Sequence, residues 1–458
     1  MTTTTGSGEQ WSSRWGFFLA AIGFSVGLGN IWRFPFVTGE NGGSAFLIIY
    51  LACALAIGLP LLIAELAIGR RGRGSASGSI VAVAGLCSAS SRWGYVGALA
   101  IFCVFMILTY YSVISGWTLD YLWRSASGSF DSINAEQSRS MFDALMADPW
   151  RLIFWNSVIH ACIFLIVRRG VQGGIEKAVK VLMPILFVAL FVMVVYGFIA
   201  GDMRSAATFL LQPDFSQVTP ETVMKAIGQA FFSIGIGMGA LIAFGAYLPE
   251  YYSVPKSATG IILADTGVAV LAGFAIFPLV FAFGLHPSAG SGLTFVTLPI
   301  AFGQMAGGQV FGSVFFILLF AAALSSCIGC AEAVAFWITE KFGVPRKMAI
   351  LYSTLAAWLV GLTTIFSLGS WSDFYPLDFI PALEGMNIYA ATDFLAANVL
   401  LLIGSMFLSV FFGWFVPRQI KLDAIGVANN SMFRFWQLLI RFVIPPVLFI
   451  VLVMGLRA

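Results

Sequence analysis

The sequence predicts an all-α membrane protein with eleven transmembrane helices, built as a 5+5 inverted repeat plus one extra C-terminal helix. Two observations carry this. The chain is 59% hydrophobic and only 10% charged, whereas a soluble protein carries about 25% charged residues. The stretches Phe24-Ser25-Val26-Gly27-Leu28-Gly29 and Phe232-Ser233-Ile234-Gly235-Ile236-Gly237 interrupt two apolar segments in nearly the same way. Glycine inside a helix costs roughly 0.8–1 kcal/mol relative to alanine. In lipid an opened backbone survives only where protein or a polar cavity covers it.

Apolar runs of about 20 residues, enough to cross a bilayer, recur along all 458 residues and give a mean hydropathy of +0.93. They place helices 1 to 11 at 15–37, 43–69, 93–123, 151–167, 177–200, 222–250, 257–284, 310–340, 347–368, 388–416 and 434–456. The chain reads as a single domain, 1–458. Its first repeat covers 15–200 and its second 222–416, and helix 11 stands outside both. The polar stretch Ser125–Ala147 reads as a loop with a short helical piece, and 287–308 either as a loop folding back as a lid or as an ordinary surface loop.

Basic residues orient the bundle. Arg70, Arg71, Arg73 and Arg92, then Arg168, Arg169, Lys177 and Lys180, then Lys341, Arg346 and Lys347, then Arg418, Lys421 and Arg434 fall on one side. The positive-inside rule makes that side cytoplasmic. The N-terminus is then cytoplasmic and, after an odd number of crossings, the C-terminus extracytoplasmic, in the cell membrane. The net charge of +3 follows from these loops and implies no nucleic-acid partner. No cleavable signal peptide is visible: 1–10 is polar and the first apolar segment is too long for one. Six cysteines lie in or beside spans and imply no disulfide framework; Cys327 and Cys330 read as small apolar packing residues.

An enzyme is disfavoured. His160 and His286 are the only histidines, without metal-spaced partners, and no serine sits in a nucleophile motif. A matched pair of interrupted helices, one per half, points instead to a transporter's binding site.

Trp11-Ser-Ser-Arg-Trp-Gly, Gly27-Leu-Gly-Asn30-Ile-Trp-Arg33-Phe-Pro35 and Glu40-Asn-Gly-Gly43 resemble helix 1 of the neurotransmitter:sodium symporter family, most like its bacterial carriers of hydrophobic amino acids. Tyr110-Tyr111 with Gly116-Trp117 resembles helix 3, Gly228-Gln229 through Ser233 helix 6, and Leu324-Ser325-Ser326 helix 8. The resemblance implies sodium-coupled uptake of amino acids by alternating access, with two sodium ions and no obligate protein partner. A sodium-coupled carrier of a small amino acid or osmolyte is the alternative.

For the first sodium the resemblance points to the Ser25 carbonyl, Asn30, Ser233 and a helix 7 residue. Counting back from Gly273-Phe274, that residue is Asp265 where the family commonly has Asn, and Ala269 stands where chloride-dependent members carry Ser. A carboxylate within the membrane is expensive and marks function. Asp265 is therefore expected to ligate sodium and replace chloride's negative charge beside Tyr50, Gln229 and Ser233. For the second sodium the resemblance points to the carbonyls of Gly23, Val26 and Ala322 and the hydroxyls of Ser325 and Ser326.

The substrate carboxylate is expected at Leu28, Gly29 and Tyr111, and its ammonium at the carbonyls near Ser25, Phe232 and Ser233. Gly27 stands where monoamine carriers place an aspartate, so the substrate brings its own carboxylate. Its side chain would meet Ile107, Phe232, Gly235, Met238, Ser326, Gly329 and Cys330, a small or apolar set that suits neutral hydrophobic amino acids. Gly237-Met238-Gly239 is expected to set the size limit.

The resemblance also implies gates. Arg33 and Asp393 would form an outer ion pair. Trp11 and Glu340 would close the cytoplasmic side, with Gly8 in the place of the family's arginine and Arg14 as a substitute. Gly174 and Pro184, with nine residues between them, match a motif that lets helix 5 unwind. Glu65 is expected to hydrogen-bond to the helix 6 break.

Overall fold

A computed structural model describes residues 10–287 and 292–457; Gly8 and the start of the 287–308 loop lie outside them. All regular structure among the described residues is helical. Among the described residues, nine uninterrupted helices are long and apolar enough to cross a membrane: Ser44–Gly72, Ser91–Ala126, Pro149–Val167, Val171–Ala200, Val254–Ala282, Gly308–Phe342, Arg346–Leu368, Ile388–Phe415 and Ser431–Gly455. They are helices 2–5 and 7–11. Helix 1 is the bent pair Arg14–Ser25 and Gly29–Glu40, which meet at 47°. Helix 6 is Pro220–Ile234 followed by Ala240–Ala246; counted as one broken crossing, it is consistent with eleven.

Helix 6 stops at Ala246, short of the expected 250. Pro249 has no N–H to extend the helix and disfavours helical backbone in the residue before it. Its break runs through three glycines with positive φ, Gly235 (78°), Gly237 (82°) and Gly239 (70°), a region closed to most other residues. Helix 1 breaks more gently. Val26 turns to extended backbone at φ −75°, ψ 95°, and the Asn30 Oδ1 accepts from Gly27 N–H at 3.0 Å.

Helices 3 and 8 pack along each other at the centre of the bundle. Their apolar windows are 72% and 83% buried, against 28% for helix 11 at the periphery. The two breaks meet beside this pair. Ser25 Oγ donates to Ile234 O at 2.9 Å, and Gln229 Nε2 donates to Gly29 O at 2.7 Å. Each break thus uses side chains of the other helix to occupy backbone groups that its own helix frees. The 125–147 loop contains the helix Ala135–Met146, started by an Asn134/Gln137 capping box. Helix Leu293–Gln304 folds into the bundle, its Phe295 buried against Trp32, Trp117 and Tyr121.

Candidate functional site

Asp265 lies midway along helix 7 and is fully buried. Its carboxylate accepts hydrogen bonds from Asn30 Nδ2 at 2.8 Å, from Ser233 Oγ at 2.9 and 3.1 Å, and from Tyr50 Oη at 3.3 Å. Asn30, Ser233 and Asp265 therefore converge from helices 1, 6 and 7. No ion pair joins Asp265 to Lys or Arg among the described residues. A buried charge needs a counter-charge or a change of protonation, and the donor set around it is all oxygen and neutral nitrogen. None of these neutral neighbours balances the carboxylate's charge, which a small monovalent cation bound among the Ser233, Tyr50 and Asp265 oxygens would do. Gln229 turns to Gly29 and leaves its Oε1 without a partner.

A second oxygen cluster lies between helices 1 and 8. Ser326 Oγ donates to Phe24 O at 2.9 Å and reaches Gly23 O at 3.5 Å. Ser325 Oγ donates to Ala322 O at 3.0 Å. Serines that bond backward along their own helix are ordinary packing in membranes, but Ser326 bonds across to the opened end of helix 1. Helix 5 covers this cluster: a methyl placed on Gly23 would lie 3.2 Å from the Met183 thioether. Met183 is the neighbour of Pro184, and Pro184 lies inside an unbroken Val171–Ala200 helix. Gly174 lets that helix approach the Ile166 carbonyl of helix 4.

Between the two clusters is a narrow cavity lined by Phe24, Ser25, Gly27, Gly29, Ile107, Tyr111, Phe232, Gly235, Met238, Ser326 and Cys330. Its free volume is about 20 Å³, room for about one water molecule. Tyr111 Oη accepts from Leu28 N–H at 2.7 Å. Leu28 and Ser233 touch the site through these bonds, and Gly329 backs it through Phe24. A methyl on Gly27 would collide with both Tyr111 Oη and Ser326 Oγ, so this position is closed to the monoamine carriers' aspartate while those side chains stay put. Sequence reasoning missed Phe24. The signal was present: a bulky aromatic directly follows Gly23, inside a break otherwise rich in small residues.

Several expected gate contacts differ. Arg33 and Asp393 line one larger cavity of about 390 Å³, yet form no ion pair with each other. The Arg33 guanidinium lies over the Phe232 ring, 4.5 Å from its centroid, and its Nη1 is buried without a partner. Stacking on an aromatic face suits a planar guanidinium, and this position draws it from the carboxylate. At the opposite end Trp11 is buried, with Nε1 donating to Phe244 O at 3.2 Å and its ring edge-on to Phe17, Phe244 and Tyr247. Glu340 is not paired with a cation there; it accepts from Ser75 N–H at 2.7 Å, holding the start of the Ala76–Leu86 helix. A carboxylate suits the positive end of a helix. Arg14 is exposed and stacks on Phe18. The segment before helix 1 is instead tied to helix 5: Glu176 accepts from the Ser12 N–H at 3.1 Å, from the Ser12 hydroxyl, and from Lys180 at 2.7 Å. Glu65 accepts from Gly237 N–H at 2.7 Å, at the helix 6 break.

Comparison with known proteins agrees in extent and in kind. Residues 8–138 and 140–458 match the family described as the sodium:neurotransmitter symporter family. An uncharacterised sodium-dependent transporter of Bacillus subtilis, YhdH, is 35% identical over 445 residues, covering 96% of each chain. The sodium-dependent nutrient amino acid transporter 1 of Drosophila virilis is 25% identical over 97% of this chain and 76% of its own. The crystal structure of MhsT in complex with L-phenylalanine is 39% identical and superposes with a TM-score of 0.90 over 98% of this chain and all of that one. The protein is thus a multi-pass membrane protein, a sodium-dependent transporter of the sodium:neurotransmitter symporter family.

Proposed function

We propose that the protein takes up neutral hydrophobic L-amino acids by alternating access, coupled to two sodium ions and independent of chloride. The carrying observation is the Asp265 carboxylate, buried among Asn30, Ser233 and Tyr50 without a protein cation. In this reading Asp265, Asn30, Ser233 and the Ser25 carbonyl hold the first sodium. The carbonyls of Gly23, Val26 and Ala322 with Ser325 and Ser326 hold the second. Asp265 supplies the fixed charge for which chloride-dependent relatives need an anion. Tyr111 and the N–H groups at Leu28 and Gly29 take the substrate carboxylate.

The two repeats, 15–200 and 222–416, rock about this centre, with Trp11 and the Ser12–Glu176 tie closing the cytoplasmic end. Bound sodium supplies the driving force: each charge crossing 100 mV is worth about 2.3 kcal/mol. Two ions would then contribute roughly 4.6 kcal/mol, enough for about a thousandfold gradient of a neutral solute. The bound phenylalanine of MhsT and the nutrient amino acid transporters among the relatives support the substrate class.

The test is equilibrium binding of labelled leucine, methionine and phenylalanine to purified protein in sodium chloride, sodium gluconate and potassium chloride. Binding in both sodium salts and none in potassium is expected. Loss in gluconate refutes chloride independence. Glycine or an osmolyte competing best would move the assignment to a carrier of small solutes.

A further inference from the structure

Helix 4 ends at Val167 and helix 5 begins at Val171, so only Arg168, Arg169 and Gly170 carry the chain round between them. Gly170, at φ 85°, makes so tight a turn possible. The turn lays Arg169 against the start of helix 5, where Gly173 and Gly174 offer no side chain. A methyl on Gly174 would lie 3.1 Å from the Arg169 Cβ, and one on Gly173 would meet only that atom, at 4.0 Å. The missing side chains leave a groove of about 320 Å³ between helices 4, 5 and 8. It shares no lining residue with the narrow cavity or with the larger one.

The groove has a basic mouth and an apolar wall. Arg169 and Lys177 stand at the mouth, both exposed. Among the described residues neither has an acidic partner, and the lining holds no carboxylate. The neighbouring cations are already engaged: Lys180 pairs with Glu176, and the Arg168 guanidinium lies over the Phe164 ring. The wall is Ile166, Val181 and Leu182, with buried Leu324 of helix 8 behind them. Val181 is 59% exposed and leads into Ile185 and Val188, at 41% and 63%. Spaced i, i+4 and i+7, these three form one stripe along helix 5. The apolar windows of helices 4 and 5 are each only 33% buried, so groove and stripe face the bilayer.

Two unpaired cations beside a strip of exposed apolar surface match a phosphate-bearing head joined to a hydrocarbon chain. Basic pockets between membrane helices on the cytoplasmic side hold such head groups, and the basic loops put Arg169 and Lys177 on the side expected to be cytoplasmic. A guanidinium takes phosphate oxygens in pairs, and an ammonium adds a point charge. A soluble anion would use the cations and leave the apolar wall idle. We propose that this groove binds an anionic phospholipid, its phosphate held by Arg169 and Lys177 and an acyl chain laid along Val181, Ile185 and Val188. A lipid seated there ties helix 4 to the Gly174–Pro184 stretch of helix 5 across the turn. The site stands apart from the question of which solute is carried.

The experiment is native mass spectrometry of the purified protein in detergent micelles. It is titrated with phosphatidylglycerol or phosphatidylcholine of the same acyl chains, with and without excess inorganic phosphate. One variant is Arg169→Gln with Lys177→Gln. A second, Gly173→Leu, fills the open mouth and keeps both cations. A third, Lys341→Gln with Lys347→Gln, removes equal charge elsewhere on the same side. Thermal melts verify that each is folded. Wild type should bind phosphatidylglycerol about tenfold or more tighter than phosphatidylcholine, and inorganic phosphate should not displace it. The first variant should lose this preference, Gly173→Leu should weaken phosphatidylglycerol binding several-fold, and the third should match wild type. A wild type without preference overturns the proposal, as does a preference that survives Arg169→Gln with Lys177→Gln. So do equal losses from the two double variants or full binding by Gly173→Leu, since either means diffuse surface charge and no built groove. Displacement by inorganic phosphate would make this a soluble-anion site and overturn it too.

Discussion

One amide nitrogen, Asn30 Nδ2, donates to both the backbone carbonyl of Asp265 at 2.9 Å and its carboxylate at 2.8 Å. Helix 1 at its break is thereby fixed to the middle of helix 7 by a residue pair, not by apolar packing alone. Because the same nitrogen also reaches Ser233 at 2.9 Å, any movement of the helix 1 break relative to helices 6 and 7 disturbs all three.

Asp265→Asn should lower sodium-dependent amino-acid binding at least tenfold, with little change in fold. Two unit charges about 4 Å apart interact by about 4 kcal/mol at an effective dielectric of 20, and partial solvation losses reduce the net effect. A binding isotherm against sodium concentration checks it. An unchanged sodium midpoint would remove Asp265 from the proposed site.

Gly27→Ala should cut binding tenfold or more although it adds a single methyl. That methyl collides with Tyr111 and Ser326 together, so either the Tyr111 hydroxyl, proposed to hold the carboxylate, or the helix 1–helix 8 contact must shift. Gly228→Ala is the control, since nothing lies within 4 Å of its added methyl. Equal losses from the two substitutions would show that helix propensity, not the collision, is at work.

Glu176→Ala should loosen the Trp11 end. It leaves the Ser12 N–H without its acceptor and removes the partner of Lys180; both donors are exposed, so the loss costs only about 0–1 kcal/mol and falls on the tie, not on the fold. A cysteine introduced at Gly23 should become several-fold more reactive to a membrane-impermeant thiol reagent in inside-out vesicles. Pro184→Ala, by stiffening helix 5, should act in the opposite direction and slow release on that side; identical labelling in both variants would separate helix 5 from the gate.

Lys421 gives a pH dependence unrelated to transport. It lies in the 418–425 helix outside the spans, donating to Gly413 O at 2.6 Å. Burial, with Arg441 nearby, pushes its amine down to about 7, against about 10.4 for a free lysine. Between those values the unfolded chain binds the extra proton, so stability falls as pH drops from about 10 to about 7. Lys421→Met should flatten that slope in thermal melts of solubilised protein over the same range.

The spans and both breaks could be read from the sequence because each is written locally, in apolar runs and glycine clusters. Asn30, Ser233 and Asp265 could be singled out because polar groups within apolar helices are few. The remainder depended on which side chain fills a space, which no local pattern records. Phe24 looks like any helical aromatic until Gly235 and Gly329 are brought around it. Arg33 and Asp393 carry opposite charges in the right segments, but Phe232 decides where the guanidinium lies. Glu340 has an acidic side chain near the expected gate, and the start of the 76–86 helix claims it. The Ser12–Glu176 tie joins residues 164 positions apart, with a spacing that carries no signature.

The bond between Leu28 N–H and Tyr111 Oη also bears on how quickly the site can change occupants. A carboxylate arriving at the break can take over the Leu28 proton as Tyr111 turns to present its own. The backbone group then passes from one acceptor to the next without a bare interval, and the hydroxyl changes from receiver to giver. Under the proposed carboxylate site the exchange turns one protein hydrogen bond into two, which offsets part of the hydration that an arriving carboxylate loses.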